Sequence, residues 1–105
     1  MRYRVFKKAH QQLIGIWLYT EREWGAKQAD KYLDGLYAAF KKTCQNSSSW
    51  KRVRGKAFVG VFFVRYQRHI IFFKLLAADD IGIISVLHEN MNLPNSLLSD
   101  LNQGE

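Results

Sequence analysis

Histidine and two groups of cations are the residues of this chain whose chemistry extends beyond packing. The histidines are His10, His69 and His88. An unperturbed imidazole titrates near pH 6.5, so His69 or His88 could move a proton at neutral pH. Arg65, Arg68 and Lys74 lie near them in sequence, and Lys51, Arg52, Arg54 and Lys56 form an earlier group. General acid–base chemistry needs a group that takes or gives a proton and a positive charge where negative charge develops. His88, His69, Arg65 and Arg54 are the candidates for those roles. The competing reading of His88 is structural, a ring whose hydrogen bond fixes the segment after it. Ser85 and His88 also differ in strand parity, so a flat strand cannot present both on one face. The histidines lack metal-ligand spacing, and the single Cys44 cannot complete a zinc site or an intramolecular disulfide. Cys44 reads as a buried, inert thiol in a reducing compartment. No glycine-rich phosphate loop or nucleophile–base triad is present, so neither a cofactor nor a metal is expected.

The same cations also read as a binding surface. Trp50 to Lys56 holds one aromatic and four cations in seven residues, a composition that grips phosphates or an acidic groove, or stands as a solvated loop. Lys51, Arg52, Arg54, Lys56, Arg65, Arg68, Lys74 and His88 are therefore candidates for contact with a target or partner. The net charge is +7, unevenly spread. All 16 Lys and Arg lie at or before Lys74 beside only Glu21, Glu23, Asp30 and Asp34, so residues 1–74 carry +12. The last 31 residues carry −5, from Asp79, Asp80, Glu89, Asp100 and Glu105. Such a dipolar chain points to an acidic partner, either nucleic acid or an acidic protein segment.

The elements that must position these groups follow from periodicity. Length permits one domain over residues 1–105, and 48% hydrophobic with 24% charged residues is a globular composition. Tyr3 to Phe6 suits a short strand. Ala9, Leu13, Ile16, Trp17, Thr20 and Trp24 follow helical spacing, but no Ser, Thr, Asp or Asn stands near the start to cap this helix. Gly25 interrupts the pattern. A second helix is expected from about Ala26 to Gln45 on the stripe Ala29, Tyr32, Leu33, Leu36, Tyr37, Phe40 and Cys44, with Asn46 as a left-handed cap. The short link implies an antiparallel hairpin, with Trp17 and Trp24 in its core rather than serving as base-stacking platforms.

After the Asn46-Ser47-Ser48-Ser49 loop the period becomes two. Gly60 to Tyr66, His69 to Leu76 and Ile81 to His88 read as strands, joined by tight turns at Gln67-Arg68 and Ala78-Asp79-Asp80. Alternation puts Phe62, Val64, Tyr66, Ile71, Phe73 and Leu75 on the face that the helices cover. Phe63, Arg65, Ile70, Phe72 and Lys74 fall on an open face. Asn95 to Leu101 forms a last short helix capped by Asn95 or Ser96. No secretory leader or membrane-length apolar run is read, so a cytoplasmic location without membrane association is expected.

An α+β order of strand, helical hairpin and three-stranded antiparallel meander narrows the fold, and the residues within it resemble the RelE/ParE toxin superfamily. Trp24-Gly25-Ala26-Lys27-Gln28-Ala29 through Tyr32, Leu36 and Phe40 resembles the family's helical hairpin. Val53-Arg54-Gly55 resembles the segment leading into the sheet, and His69-Ile70-Ile71-Phe72-Phe73 resembles its His-x-Ile-Phe-Tyr strand. Ile83 to Asn92 is similar to the ParE-type closing strand, except that Ser85 stands where many relatives have Arg and Asn92 where they have Asp. The resemblance implies the toxin of a type II toxin–antitoxin system of the plasmid-stabilising kind. Its implied partner is a small acidic antitoxin, through which oligomers could form.

The superfamily divides by target. RelE-type relatives cut messenger RNA on the ribosome, and ParE-type relatives poison DNA gyrase. RelE-type chemistry draws on Arg and Tyr in the closing strand and beyond, and this chain has no Lys, Arg or Tyr after Lys74. Glu89 and Asn95 stand where an Arg and a Tyr would be expected, and an acid there repels phosphate. A gyrase-inhibiting binder without catalysis of its own is the first expectation. A ribosome-dependent messenger-RNA endonuclease is the alternative, and a non-toxic antitoxin-binding regulatory relative is a third reading that Ser85 and Asn92 leave open.

Overall fold

The computed structural model describes residues 1–105. Strand β1 (Tyr3–Val5) leads into helices α1 (Lys7–Trp24) and α2 (Ala26–Gln45), followed by strands β2 (Lys51–Arg52), β3 (Val61–Tyr66), β4 (His69–Leu75) and β5 (Ile81–His88) and helix α3 (Leu93–Leu101). The strands form one sheet in the order β1-β5-β4-β3-β2, with β1 parallel to β5 and the other pairs antiparallel. The expected meander is its centre. Lys51-Arg52 adds a fifth strand where a loop was expected, because Lys51 pairs with Phe63 and Arg52 with Phe62.

Helix α1 starts at Lys7 with no side-chain cap, as its uncapped sequence requires, and the backbone carbonyl of Glu105 accepts the Lys7 N–H instead. Gly25 alone links the two helices, at φ 92°, a conformation open to glycine at little steric cost. The end of α2 departs from expectation. Asn46 is not left-handed (φ −138°), and the Trp50 indole N–H caps the helix by donating to the Thr43 carbonyl at 2.8 Å.

Two cores flank the sheet. Leu13, Leu36, Phe40, Ile71, Phe73, Ile81, Ile83 and Val86 close the one under the hairpin, with Phe62, Val64 and Tyr66 packed against it. This is the face that alternation assigned to the helices. Leu75 leaves it near the strand's end and is 49% exposed. The opposite face is not open. Helix α3 lays Leu97 on Phe6, Val61, Ile70, Phe72, Ile84 and Leu87, a second core that the short C-terminal segment gave little reason to expect. That helix begins at Leu93 rather than Asn95, with Pro94 in its first turn, where a missing N–H costs nothing. Neither Asn95 nor Ser96 caps it. The tryptophan expectation is also corrected. Trp24 is 73% exposed, and Trp17 stands outside the core, donating to Asp30 Oδ1 at 2.8 Å.

Candidate functional site

The fold divides the candidate residues between two concave surfaces. On the α3 side, β2, β3 and the start of α3 enclose a cleft of about 500 Å³. Lys51, Arg52, Arg54 and Arg65 line it over an apolar floor that includes Phe58, Phe63, Phe72 and Leu97. Trp50, the aromatic of the basic stretch, instead turns under the hairpin against Phe62 and Phe73, so it cannot stack on a ligand in this cleft. Lys56 lies outside the cleft, and Lys74 sits apart with its Nζ 5.6 Å from the centre of the Phe6 ring.

His69 and His88 meet beside the β3–β4 turn, with His69 against Tyr32 of α2. They are directly paired across β4 and β5, with ring centres 5.3 Å apart and planes nearly perpendicular. Each ring is held through Nδ1. The Asn90 backbone N–H donates to His88 Nδ1 at 3.1 Å, which leaves the His88 proton on Nε2. Tyr32 Oη lies 2.6 Å from His69 Nδ1. Burial and the neighbouring Tyr66 raise the Tyr32 phenol, while the Arg68 backbone N–H bonds to its oxygen. Tyr32 thus keeps its proton, and its hydroxyl shares one hydrogen bond with His69 Nδ1 whose direction follows the imidazole tautomer. Burial, reinforced by His88, pushes the His69 imidazole down to about 4. The ring is uncharged at neutral pH.

Glu89, the first residue after β5, clamps the adjacent cations. Its Oε1 accepts from Arg65 at 2.6 Å and its Oε2 from Arg68 at 2.9 Å. The Arg65 hydrogen bond, aided by that of Arg68, lowers the Glu89 carboxyl below the ordinary carboxylate range, so the clamp stays charged. The two guanidinium groups nearest the histidines therefore face an acid rather than a vacant phosphate site. Together with α1 and α2, this end of the sheet borders a groove of about 1090 Å³ that includes Tyr32, Arg68, His69 and His88.

The profile described as ParE toxin of type II toxin-antitoxin system, parDE matches residues 3–93, nearly the whole chain. The chain belongs to the ParE toxin family. It is 28% identical over 99 residues to Toxin ParE of Escherichia coli, covering 94% of this chain and 95% of that one. Toxin ParE1 of Caulobacter vibrioides is 28% identical over 90 residues, covering 86% and 91%. In fold it is similar to a solved chain described as the chromosomal ParDE TA system from P. aeruginosa, at TM-score 0.69, 18% identity and coverage of 84% and 95%. The protein is thus the toxin component of a type II toxin–antitoxin system, and its partner is an antitoxin.

Within that family, Ser85 takes on a definite role. Strand β1 pairs with β5 only from Ile81 to Ile83, so the next part of the β5 edge lacks a strand partner. Gln12 of α1 substitutes for one, its Oε1 accepting the Val86 N–H at 2.7 Å. A β-bulge beside Phe72 and Phe73 sets Ser85 opposite Phe72, on the α3 side. There Ser85 Oγ donates to Asp100 Oδ2 at 2.5 Å, and Gln12 Nε2 donates to the same oxygen at 2.8 Å. Asp100 is buried, so this clasp ties α1, β5 and α3 together. Sequence reading flagged Ser85 and Glu89 only as departures and missed Asp100, Gln12 and Tyr32. Their partners lie 15 to 88 residues away in sequence, beyond the reach of any local pattern.

Proposed function

We propose that this ParE-family toxin inhibits DNA gyrase by binding it, without catalysis of its own. The observation that carries this reading is the disposition of the histidines and arginines around Glu89. General-base catalysis needs an unprotonated nitrogen within reach of the substrate. Both Nδ1 atoms are already engaged, and the Asn90 N–H on His88 Nδ1 leaves the proton of that ring on Nε2. Charge stabilisation at a phosphorane draws on free cations, and Arg65 and Arg68 share the single Glu89 carboxylate, which offsets one of their two charges. The residues that could have cut RNA are engaged with one another, which supports a binding role.

The basic cleft is the surface we assign to the target. Four cations around a floor of phenylalanine and leucine suit an acidic protein surface that inserts an apolar residue. A polyphosphate backbone would use the charges and leave the floor wet. Purified toxin is therefore expected to inhibit gyrase supercoiling in vitro, and Arg52→Ala with Arg54→Ala to weaken that inhibition while the far-UV circular dichroism stays unchanged. Expression without the antitoxin should give filamentous cells and DNA-damage signalling with translated messages intact. Codon-positioned cuts in those messages, abolished in folded His88→Ala protein, would replace this reading with the ribosome-dependent endonuclease.

A further inference from the structure

The loop of residues 55–60 joins β2 to β3 and carries Val59, the most exposed large apolar side chain of the protein at 85%. Singly exposed apolar residues are common on protein surfaces. This one is held in a fixed place. Gly55 at φ 115° and Gly60 at φ 83° bracket the loop, in backbone conformations that other residues adopt only under strain. Between them Phe58 packs against the second core, its ring 3.2 Å from where a Gly55 Cβ would stand. With Phe58 turned inward, Val59 projects outward beside the cleft whose floor Phe58 helps to form.

The surroundings of this side chain are cationic. Residues 35–78 hold nine Lys or Arg and no Asp or Glu. Arg65 and Arg68 share Glu89, whereas Lys51, Arg52, Arg54 and Lys56 form no ion pair. An exposed apolar centre flanked by unpaired cations has the layout of an interface patch whose counterpart is acidic. We infer that Val59 is a preorganised knob that enters an apolar socket rimmed by carboxylates on the toxin's target. The inference rests on the proposed inhibition of gyrase and adds a contact outside the basic cleft, one in which the toxin is the inserting side. Because the two glycines and Phe58 already set the loop, docking orders little that was free. A DNA duplex is the competing occupant, but wedges that unstack base steps are larger side chains such as Phe, Leu, Ile and Met. A second copy of this chain would bring the same cations against these.

Supercoiling by purified gyrase, titrated with toxin variants, tests the knob. Val59→Ala removes two methyl groups and should raise the half-inhibitory concentration about tenfold. Val59→Asp, which sets a carboxylate against carboxylates, should raise it about a hundredfold or more. Both proteins should melt within about 3 °C of the wild type, because the side chain touches little of its own fold. Leu18→Ala, at an exposed apolar position on α1, should leave inhibition within about twofold. Gel-shift affinity of Val59→Ala for a bare DNA duplex should match that of the wild type. Folded Val59→Asp protein that inhibits as well as the wild type would overturn the inference, as would an equal loss from Leu18→Ala. A tenfold loss of duplex binding in Val59→Ala would also overturn it and make the knob a DNA wedge. If the wild-type toxin leaves supercoiling untouched, the gyrase reading itself fails and takes the knob's target with it.

Discussion

Protonating His69 should destabilise the protein as the pH falls, and the size of the effect follows from its surroundings. Burial under Tyr32 and Tyr66, beside His88, holds the folded-state imidazole at about 4, against 6.5 for an exposed ring. Above pH 6.5 both folded and unfolded chains leave the ring neutral, and it contributes no pH dependence. Between 6.5 and about 4 the unfolded chain takes up the proton while the folded chain does not, so stability falls with falling pH. The gap corresponds to about 3 kcal/mol at its ceiling. Glu89 opposes the shift, and the ring is only partly shielded from water, which reduces the expected loss to roughly 1–2 kcal/mol.

His69→Gln isolates this contribution, because every other titrating group is common to both proteins. At about pH 7.5 the variant should be less stable by about 1 kcal/mol, having weakened the Tyr32 hydrogen bond. Near pH 4.5 that disadvantage should vanish or reverse, since only the wild type contains the ring whose protonation favours unfolding. Urea denaturation followed by tryptophan fluorescence over this range gives both curves. Parallel curves, or an NMR titration placing the folded His69 imidazole near 6.5, would refute the assigned burial.

Other substitutions probe the remaining contacts. Asp100→Ala should destabilise the fold by about 1–2 kcal/mol in urea denaturation, because it removes the acceptor shared by the Gln12 amide and the buried Ser85 hydroxyl and leaves Ser85 only its longer contact with Gln12 Oε1. Ser85→Ala, which removes one donor and leaves Gln12 on Asp100, should cost less, about 1 kcal/mol. Charge reversal at Arg52 and Arg54 should slow association with the antitoxin in stopped-flow measurements, with the deficit shrinking as salt is added. An on-rate indifferent to salt would remove electrostatic steering from the account.

The parts legible in the sequence are those set by local period. Alternation from Val61 to Leu75 divides the side chains correctly between two faces, because each residue's side follows from that of its neighbour. Helix α2 has its bounds as read, and its stripe apart from the exposed Tyr37, since Leu36 and Phe40 recur at the interval of one turn. What escaped depends on contacts distant in the chain. Strand β2 has only two residues, too few to show alternation, and it exists because β3 offers an edge. The covered second face depends on α3, whose Leu93, Leu97 and Leu101 sit in a segment too short to declare its packing partner. Trp24 misled because an apolar residue at helical spacing was read as buried, whereas it lies at the end of α1 on the groove's rim. At the site, residue types were readable and their pairing was not. Glu89 was visible as an acid among expected cations, but its bonds to Arg65 and Arg68 require the β3–β4 turn to bring three separate positions together.

That clamp permits a last prediction that distinguishes charge from chemistry. Glu89→Gln releases Arg65 and Arg68 and raises the net charge from +7 to +8. Two freed guanidinium groups beside an already basic cleft should increase non-specific affinity for RNA several-fold at low salt, an increase that fades as counterions compete. Cleavage should not follow. The imidazoles remain engaged, because Tyr32 continues to hold His69 through Nδ1 and the Asn90 amide continues to hold His88 through the same atom. Neither restraint involves the Glu89 carboxylate as donor or acceptor. Gel-shift titration and incubation of the variant with programmed ribosomes measure the two consequences separately. Tighter RNA binding with intact messages is the expected pair of results. Message cleavage by Glu89→Gln, absent from the wild type, would mean that charge alone had suppressed a nuclease and that the imidazoles are free to act as bases.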